Sequence, residues 1–234
     1  MGKEEFIKEL EKINITLTDD QLSKLDKYYE LLIEYNKVMN LTGITKYEDV
    51  LLKHFYDSLT LIKAIDLTKK LSLCDVGTGA GFPGVVLKIV FPNLKVTLID
   101  SLNKRITFLN KVIEDLGLTN IEALHYRMED YSIKNEEKFD IITSRAVDNL
   151  TVLLELSIKS LKINGLFIAM KGNCEEEVNI LNKYINNYSC TLKNVIKFTL
   201  PIENSNRTLV VIKKNDKTNK KYPRKYKVIK EHIL

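Results

Sequence analysis

The chain is expected to fold as an α/β protein on a mostly parallel sheet, with helices ahead of it and an antiparallel hairpin closing it. Three observations predict this. From Leu71 onward, short apolar runs alternate with helical stretches, the rhythm of βαβ units. The first run leads into Gly77-Thr78-Gly79-Ala80-Gly81-Phe82-Pro83-Gly84, a glycine-rich turn opening a helix. The last two runs, around 189–201 and 206–214, are joined by the short polar Ile202-Glu203-Asn204-Ser205, with no helix between them.

Taken in order, residues 3–65 read as helical. Leu22, Leu25, Tyr29, Leu32 and Ile33 recur at three- and four-residue spacing. Thr18 and Gln21 just before them have capping-box spacing. Asn40-Leu41-Thr42-Gly43-Ile44 reads as a turn, and Tyr47 to Ile65 as a further helix. His54 and Asp57 lie three residues apart on one face of it. They are expected as a buried, hydrogen-bonded pair tying these helices to the sheet, because buried polar groups need partners. Phe55 and Tyr56 are expected in the core.

The strands follow as LSLCDV, KVTLID, NIEALH, FDIITS, GLFIAM, SCTLKNVIKFTLP and NRTLVVIKK. Helices are expected at 82–91, 102–117, 148–162 and 174–187, with a loop between the third and fourth strands. Five parallel strands and a terminal hairpin do not make the six-parallel-strand nicotinamide fold. They suit the Rossmann-like, seven-stranded sheet of class I methyltransferases, here with an N-terminal helical extension. The expected division is 1–70 for the helical segment, 71–213 for the methyltransferase domain and 214–234 for a basic tail.

At 234 residues with 44% hydrophobic and 29% charged positions, the chain can bury a sizeable core. Met1 to Lys12 carries alternating charges rather than a secretory apolar segment. No apolar run approaches the roughly 20 residues of a membrane span. A soluble, cytoplasmic protein is expected. Cys74, Cys174 and Cys190 are scattered, with no CxxC, and read as apolar fillers. His54, His125 and His232 are scattered too, so no metal site is expected. The net charge of +5 is uneven. Residues 213–230 hold nine Lys/Arg and one acid, leaving the rest near −3. With Tyr222 and Tyr226 interleaved, that tail suits either phosphate contact with base stacking or a solvated terminus.

The glycine turn presents backbone N–H groups at the mouth of the sheet. A triphosphate loop needs GxxxxGK[ST]. Here Gly84 is followed by Val85, so that reading fails. The dinucleotide pattern GxGxxG is missed by one residue, and Asp75 would sit badly beside a pyrophosphate. Asp75 would sit well beside the ammonium and sulfonium of S-adenosylmethionine. Asp100, which ends the second strand, is placed to accept ribose hydroxyls.

Ligands lie at the carboxyl ends of the strands in such sheets. The fourth strand therefore delivers Ser144-Arg145-Ala146 to the reacting methyl group. There is no (N/D)PP(Y/F) box for exocyclic amines and no cysteine at that strand end for pyrimidine C5. An acceptor that is already nucleophilic is favoured. Guanine N7 is one, since it carries no proton and needs positioning rather than a general base. Arg145 can serve the donor pocket or guanine O6. Lys171, in Ala169-Met170-Lys171-Gly172, can do the same or meet a phosphate.

DVGTGAGFPG, with NLTGI, HFYDSL, DSLNKRITFL, SRAV, MKG and KKYPRK, resembles the RsmG (GidB) family over roughly residues 20–225. These are cytoplasmic bacterial enzymes that make 7-methylguanosine in 16S, small-subunit ribosomal RNA. The resemblance implies S-adenosylmethionine as cofactor and the rRNA or the assembling small subunit as partner, without membrane or metal. It implies cofactor contacts at Gly77, Phe82, the adenine-side pair Met128-Glu129, and Arg145. With Asp75, Gly79 and Asp100, these complete the expected donor site. Arg145 and Lys171 remain the positioning candidates. The alternative function is a non-catalytic, RNA-binding ribosome assembly factor with a methyltransferase-like fold. The tail departs from the family after Lys225, reading on as YKVIKEHIL where family tails are rich in glycine and proline.

Overall fold

The structure is a computed structural model that describes residues 1–145 and 147–231. Ala146 of the expected Ser144-Arg145-Ala146 triplet and His232 lie outside the described residues.

The N-terminal segment contains α1 (Lys3–Glu11) and α2 (Asp19–Met39). The capping box forms: Thr18 Oγ1 accepts from Gln21 N at 3.2 Å, and Gln21 Oε1 accepts from Thr18 N at 3.0 Å. The same Gln21 side chain donates through Nε2 to the carbonyls of Ile89 and Val90, so one residue starts α2 and docks it on the stretch at 89–90. Asn40 ends α2 in the left-handed region at φ 50°. Asn36 then holds the NLTGI turn, accepting from Leu41 N and Thr42 N and donating to Thr42 O. A second helical stretch runs as α3 (Tyr47–Val50), a π-helical segment (Leu51–Tyr56), α4 (Asp57–Leu59) and a 3-10 turn (Thr60–Lys63).

The seven strands are β1 (Ser72–Val76), β2 (Lys95–Asp100), β3 (Ile121–His125), β4 (Phe139–Arg145), β5 (Leu161–Lys171), β6 (Cys190–Thr199) and β7 (Asn206–Lys214). They form one sheet in the order β3-β2-β1-β4-β5-β7-β6. The first five are parallel, β7 runs antiparallel to β5, and β6 is the outer strand of the expected hairpin. The strand order reverses at β1, between β2 and β4, which opens a crevice at the carboxyl ends of those strands.

Helices cover both faces. One core layer joins α1, α2, α5 (Gly84–Val90) and α6 (Asn103–Asp115) to the face bearing Leu73, Leu98, Ile141 and Ile168. The other joins α7 (Met128–Lys134), α8 (Leu150–Ser157) and α9 (Glu175–Tyr184) to Val76, Ile142, Phe167 and Val210. α7 corrects an expectation, because this stretch reads as a loop in the sequence. Its seven residues are mostly polar, and only Met128, Tyr131 and Ser132 are buried, too few to show a period.

The tail is also corrected. Tyr222 is buried against Tyr188, with ring centroids 4.9 Å apart, so it is no free stacking platform. The chain then forms α10 (Tyr226–Glu231), whose Ile229 is fully buried. The three cysteines are free and buried, as fillers. Phe55 and Tyr56 are in the core.

Candidate active site

At the switch point lies a cavity of about 440 Å³, within the size range of small-ligand sites. It is walled by the end of β1 and its turn (Val76, Gly77, Gly79), the end of β2 (Ile99, Asp100, Ser101), Arg105 of α6 and the Tyr126–Glu129 stretch. Arg145, Val147, Asp148, Leu153, Leu156 and Tyr226 complete it.

The glycine turn is shaped from behind. Gly77 has φ +66°, and a Cβ there would stand 2.5 Å from a Val147 methyl. At Gly84 a Cβ would meet Leu98 at 2.3 Å and the Asp75 carboxylate at 2.9 Å. Any side chain at these two positions would push the turn off β1.

Asp75 and Asp100 end neighbouring strands but face different ways. Asp75 is fully buried beneath the turn and does not line the cavity. Its Oδ2 accepts from Thr78 Oγ1 at 2.7 Å and from Gly84 N at 2.8 Å. Its Oδ1 is buried with no partner among the described residues. Burial pushes its pKa up to about 6, against the pull of those two hydrogen bonds. The carboxylate thus fastens the turn to α5 instead of facing a ligand.

Asp100 does line the cavity, and it is already engaged. Oδ2 accepts from Gly79 N and Arg105 Nη1, both at 3.0 Å, and Oδ1 accepts from Leu102 N at 2.9 Å. A carboxylate offers about four acceptor positions, so one remains for a ribose hydroxyl, and Arg105 holds another.

Phe82 is displaced from its expected place. It stands behind the turn in an aromatic cluster, 5.5 Å from the Tyr28 ring and stacked 4.3 Å from His54. The Arg145 guanidinium lies 5.3 Å from its centroid. Tyr28 closes the cluster by donating its hydroxyl to Ala80 O, within the glycine turn.

Arg145 stands between this cavity and a second cleft of about 340 Å³. That cleft is lined by Ile44, Lys53, His54, Asp57, Met170, Lys171, Gly172 and Arg207 as well as Arg145. Lys171 is therefore on the second cleft and not on the first. His54 and Asp57 do tie the helices to the sheet, but through Arg145 rather than through each other. Arg145 Nη1 donates to Asp57 Oδ2 and to Lys53 O, each at 2.9 Å, and Nη2 is 3.2 Å from His54 Nδ1. Arg207 Nε on β7 takes the other Asp57 oxygen at 3.0 Å.

Arginine only donates, so His54 Nδ1 is the acceptor and Nε2–H donates to Thr42 Oγ1 at 2.9 Å. Burial, followed by the Arg145 charge, lowers the His54 pKa to about 3. The imidazole is neutral, and neither nitrogen is left over.

Sequence reasoning found Gly77, Gly79, Asp100, Met128, Glu129 and Arg145 on the cavity wall. It missed Arg105, Tyr126, Asp148 and Tyr226. For Arg105 a signal existed: a cation five residues after a strand-ending acid, in the first turn of α6. For Tyr226 the signal was indirect. Glu155 sits inside the apolar LTVLLELS helix, and a buried acid there demands a cation from elsewhere.

The residues present fit a nucleoside that carries a charged amino-acid end. Acidic acceptors stand at Asp100, Glu129 and Asp148, apolar surface at Ile99, Met128, Leu153 and Leu156, and a side-chain-free backbone at Gly77 and Gly79. Among solved structures, a "SAM dependent methyltransferase" of Aquifex aeolicus shares the fold. Its TM-score is 0.54 at 20% identity, over 71% of this chain and 93% of that one. The fold is that of the S-adenosylmethionine-dependent methyltransferases.

The family whose model is described as "GidB: rRNA small subunit methyltransferase G" matches residues 21–210. The Ribosomal RNA small subunit methyltransferase G of Staphylococcus carnosus (strain TM300) is 48% identical over 229 residues, covering 96% of this chain and 95% of that protein. The protein of that name from Bacillus subtilis (strain 168) is 47% identical over 228 residues, covering 96% and 95%. The chain belongs to the rRNA small subunit methyltransferase G family, and its cofactor is S-adenosylmethionine.

Among the described residues, no group of three or more His, Cys, Asp or Glu is placed to hold a metal ion, and no helix is long and apolar enough to cross a membrane.

Proposed function

We propose that this chain, working in the cytoplasm, methylates N7 of a guanine in 16S, small-subunit ribosomal RNA, free or assembling into the subunit. When bound, S-adenosylmethionine supplies an electrophilic methyl group on a sulfonium. Gly77 and Gly79 offer backbone to it, Asp100 a ribose acceptor, Met128 and Glu129 an edge for the adenine, and Arg145 the boundary towards the acceptor. Asp75 and Phe82 act from behind, by holding the turn in shape.

One observation carries the choice of acceptor. The second cleft, which shares Arg145 with the donor cavity, has no free general base among the described residues. His54 has both nitrogens occupied and its pKa near 3, and both Asp57 oxygens are bound by arginines. An acceptor that must first lose a proton would find no base there. Guanine N7 has a bare lone pair and needs only alignment and charge. Lys53, Arg145, Lys171 and Arg207 line the cleft, so a phosphate-bearing ligand would share cations that already hold acids: Lys53 on Asp49 and Glu203, Lys171 on Glu177, and both arginines on Asp57. Arg145 and Lys171 are the positioning candidates.

The test is transfer of a labelled methyl group to small subunits from cells lacking this activity, with the product nucleosides identified. 7-Methylguanosine at one site is the expected result. A different methylated nucleoside would overturn the acceptor assignment and leave the donor site standing. No transfer, with no donor bound, would favour a non-catalytic assembly factor.

A further inference from the structure

Tyr226 stands on the wall of the donor cavity, yet it belongs to neither the sheet nor its loops. It comes from α10.

Three sets of ties hold α10 in place. Arg224, just before it, grips Glu155 with Nε at 2.8 Å, Nη2 at 2.7 Å and its backbone N at 3.0 Å. Glu155 is fully buried on α8 and also accepts from Tyr188 Oη at 3.0 Å. Tyr226 Oη donates to Asp148 Oδ2 at 2.7 Å, and Lys230 Nζ, one helical turn on, donates to Asp148 Oδ1 at 2.8 Å. Ile229 seals the underside.

Asp148 is itself a cavity residue, so the tail is latched to the rim it helps to build. Glu129, from the adenine-side pair, lines the same cavity as Tyr226. Tyr226 is 37% exposed, so part of the residue's surface is left to cover. Its hydroxyl is satisfied by Asp148, which fixes the ring without using its faces.

We propose that Tyr226 is a donor-binding residue supplied by the tail, lending aromatic surface to the nucleoside of S-adenosylmethionine, with α10 as the detachable edge of the cavity. The inference rests on reading this cavity as the donor site. It assigns the tail a role in holding the donor, beside any contact its remaining lysines make with RNA. Base–aromatic stacking corresponds to a change in affinity of roughly fivefold to a hundredfold, and a loss of about tenfold is the expected scale here. Because the effect is a coupling between two binding events, it is reciprocal: bound donor must also steady the tail.

The test uses the full chain and S-adenosylhomocysteine as the probe, with affinity read by calorimetry. Tyr226→Ala is expected to weaken binding about tenfold, while Tyr226→Phe, which keeps the ring, stays within about threefold. The chain has no tryptophan, so Tyr226→Trp introduces a single indole. Its emission is expected to change on saturation, with a midpoint matching the calorimetric Kd.

Wild-type binding with unchanged affinity in Tyr226→Ala overturns the inference alone. So does Tyr226→Phe as weak as Tyr226→Ala, or an indole blind to the ligand. A wild-type chain that does not bind the probe removes the donor reading and this inference with it. Matching circular dichroism across the variants separates lost contact from lost fold.

Discussion

The N-terminal helical segment and the C-terminal tail both return to the carboxyl ends of the sheet, and they hold on in opposite ways. The N-terminal segment grips from inside. His54 and Asp57 are buried, and they close on Arg145 and Arg207 with Thr42 behind them. The tail grips mostly from outside. Arg224 reaches the buried Glu155, but Tyr226 and Lys230 meet Asp148 at the solvent edge. The same kinds of ion pair therefore do different things. Desolvated pairs beside the second cleft fix one arrangement, because breaking either partner strands a buried charge. Exposed pairs at the rim of the first cavity are individually weak and can open.

Removing Asp57 should break the comparison most severely. Asp57→Ala leaves the Arg145 and Arg207 guanidinium groups without their shared acceptor, and a loss of about 4 kcal/mol is expected in chemical denaturation. A loss under about 1 kcal/mol would mean that the network is not desolvated as described.

Acid tests the same network next. The folded-state pKa of His54 is lowered to about 3 from an ordinary 6.5. Its contribution is thus fully present above pH 6.5 and is lost as pH falls towards 3, since only the unfolded chain takes up the proton readily. Between pH 6.5 and 4 this amounts to about 3 kcal/mol. His54→Gln should flatten that part of the stability profile, as followed by thermal unfolding across pH. An unchanged slope would place the acid sensitivity elsewhere.

On the tail side, Glu155→Gln removes the charge that Arg224 meets and should cost about 2 kcal/mol. The sharper signature is local: faster tryptic cleavage around Lys225 while the sheet stays protected from hydrogen exchange. The smallest effect is expected for Lys230→Ala, about 0.5 kcal/mol or less, because Lys230 is exposed. If Lys230→Ala matched Asp57→Ala, the inside–outside distinction would fail.

Much of this architecture is legible in the sequence, for local reasons. The capping box at Thr18 and Gln21, the alternation of β1 to β5 with helices, and the helix-free link before β7 are each written in neighbouring residues. The direction of Asp75 is not. Leu73 to Val76 are all buried, so no alternation along β1 tells which face an acid takes. Only the partners, Thr78 and Gly84, reveal that it turns under the loop. Composition also misleads in the tail. Nine cations read as a solvated or nucleic-acid-facing arm, and yet Arg224 and Lys230 are spent on Glu155 and Asp148. The partners lie 69 and 82 residues away, beyond any windowed pattern.

Asp57 and Arg207 are separated by 150 positions. During synthesis the helix bearing Asp57 is made long before β7. Domains generally take shape as units during synthesis, but here the second cleft cannot close until β7 has been made. A chain cut short before Asn206 would lack both the hairpin's inner strand and the second guanidinium for that carboxylate. The second cleft is thus finished only once β7 has been made, and a copy ended before that strand is built without it.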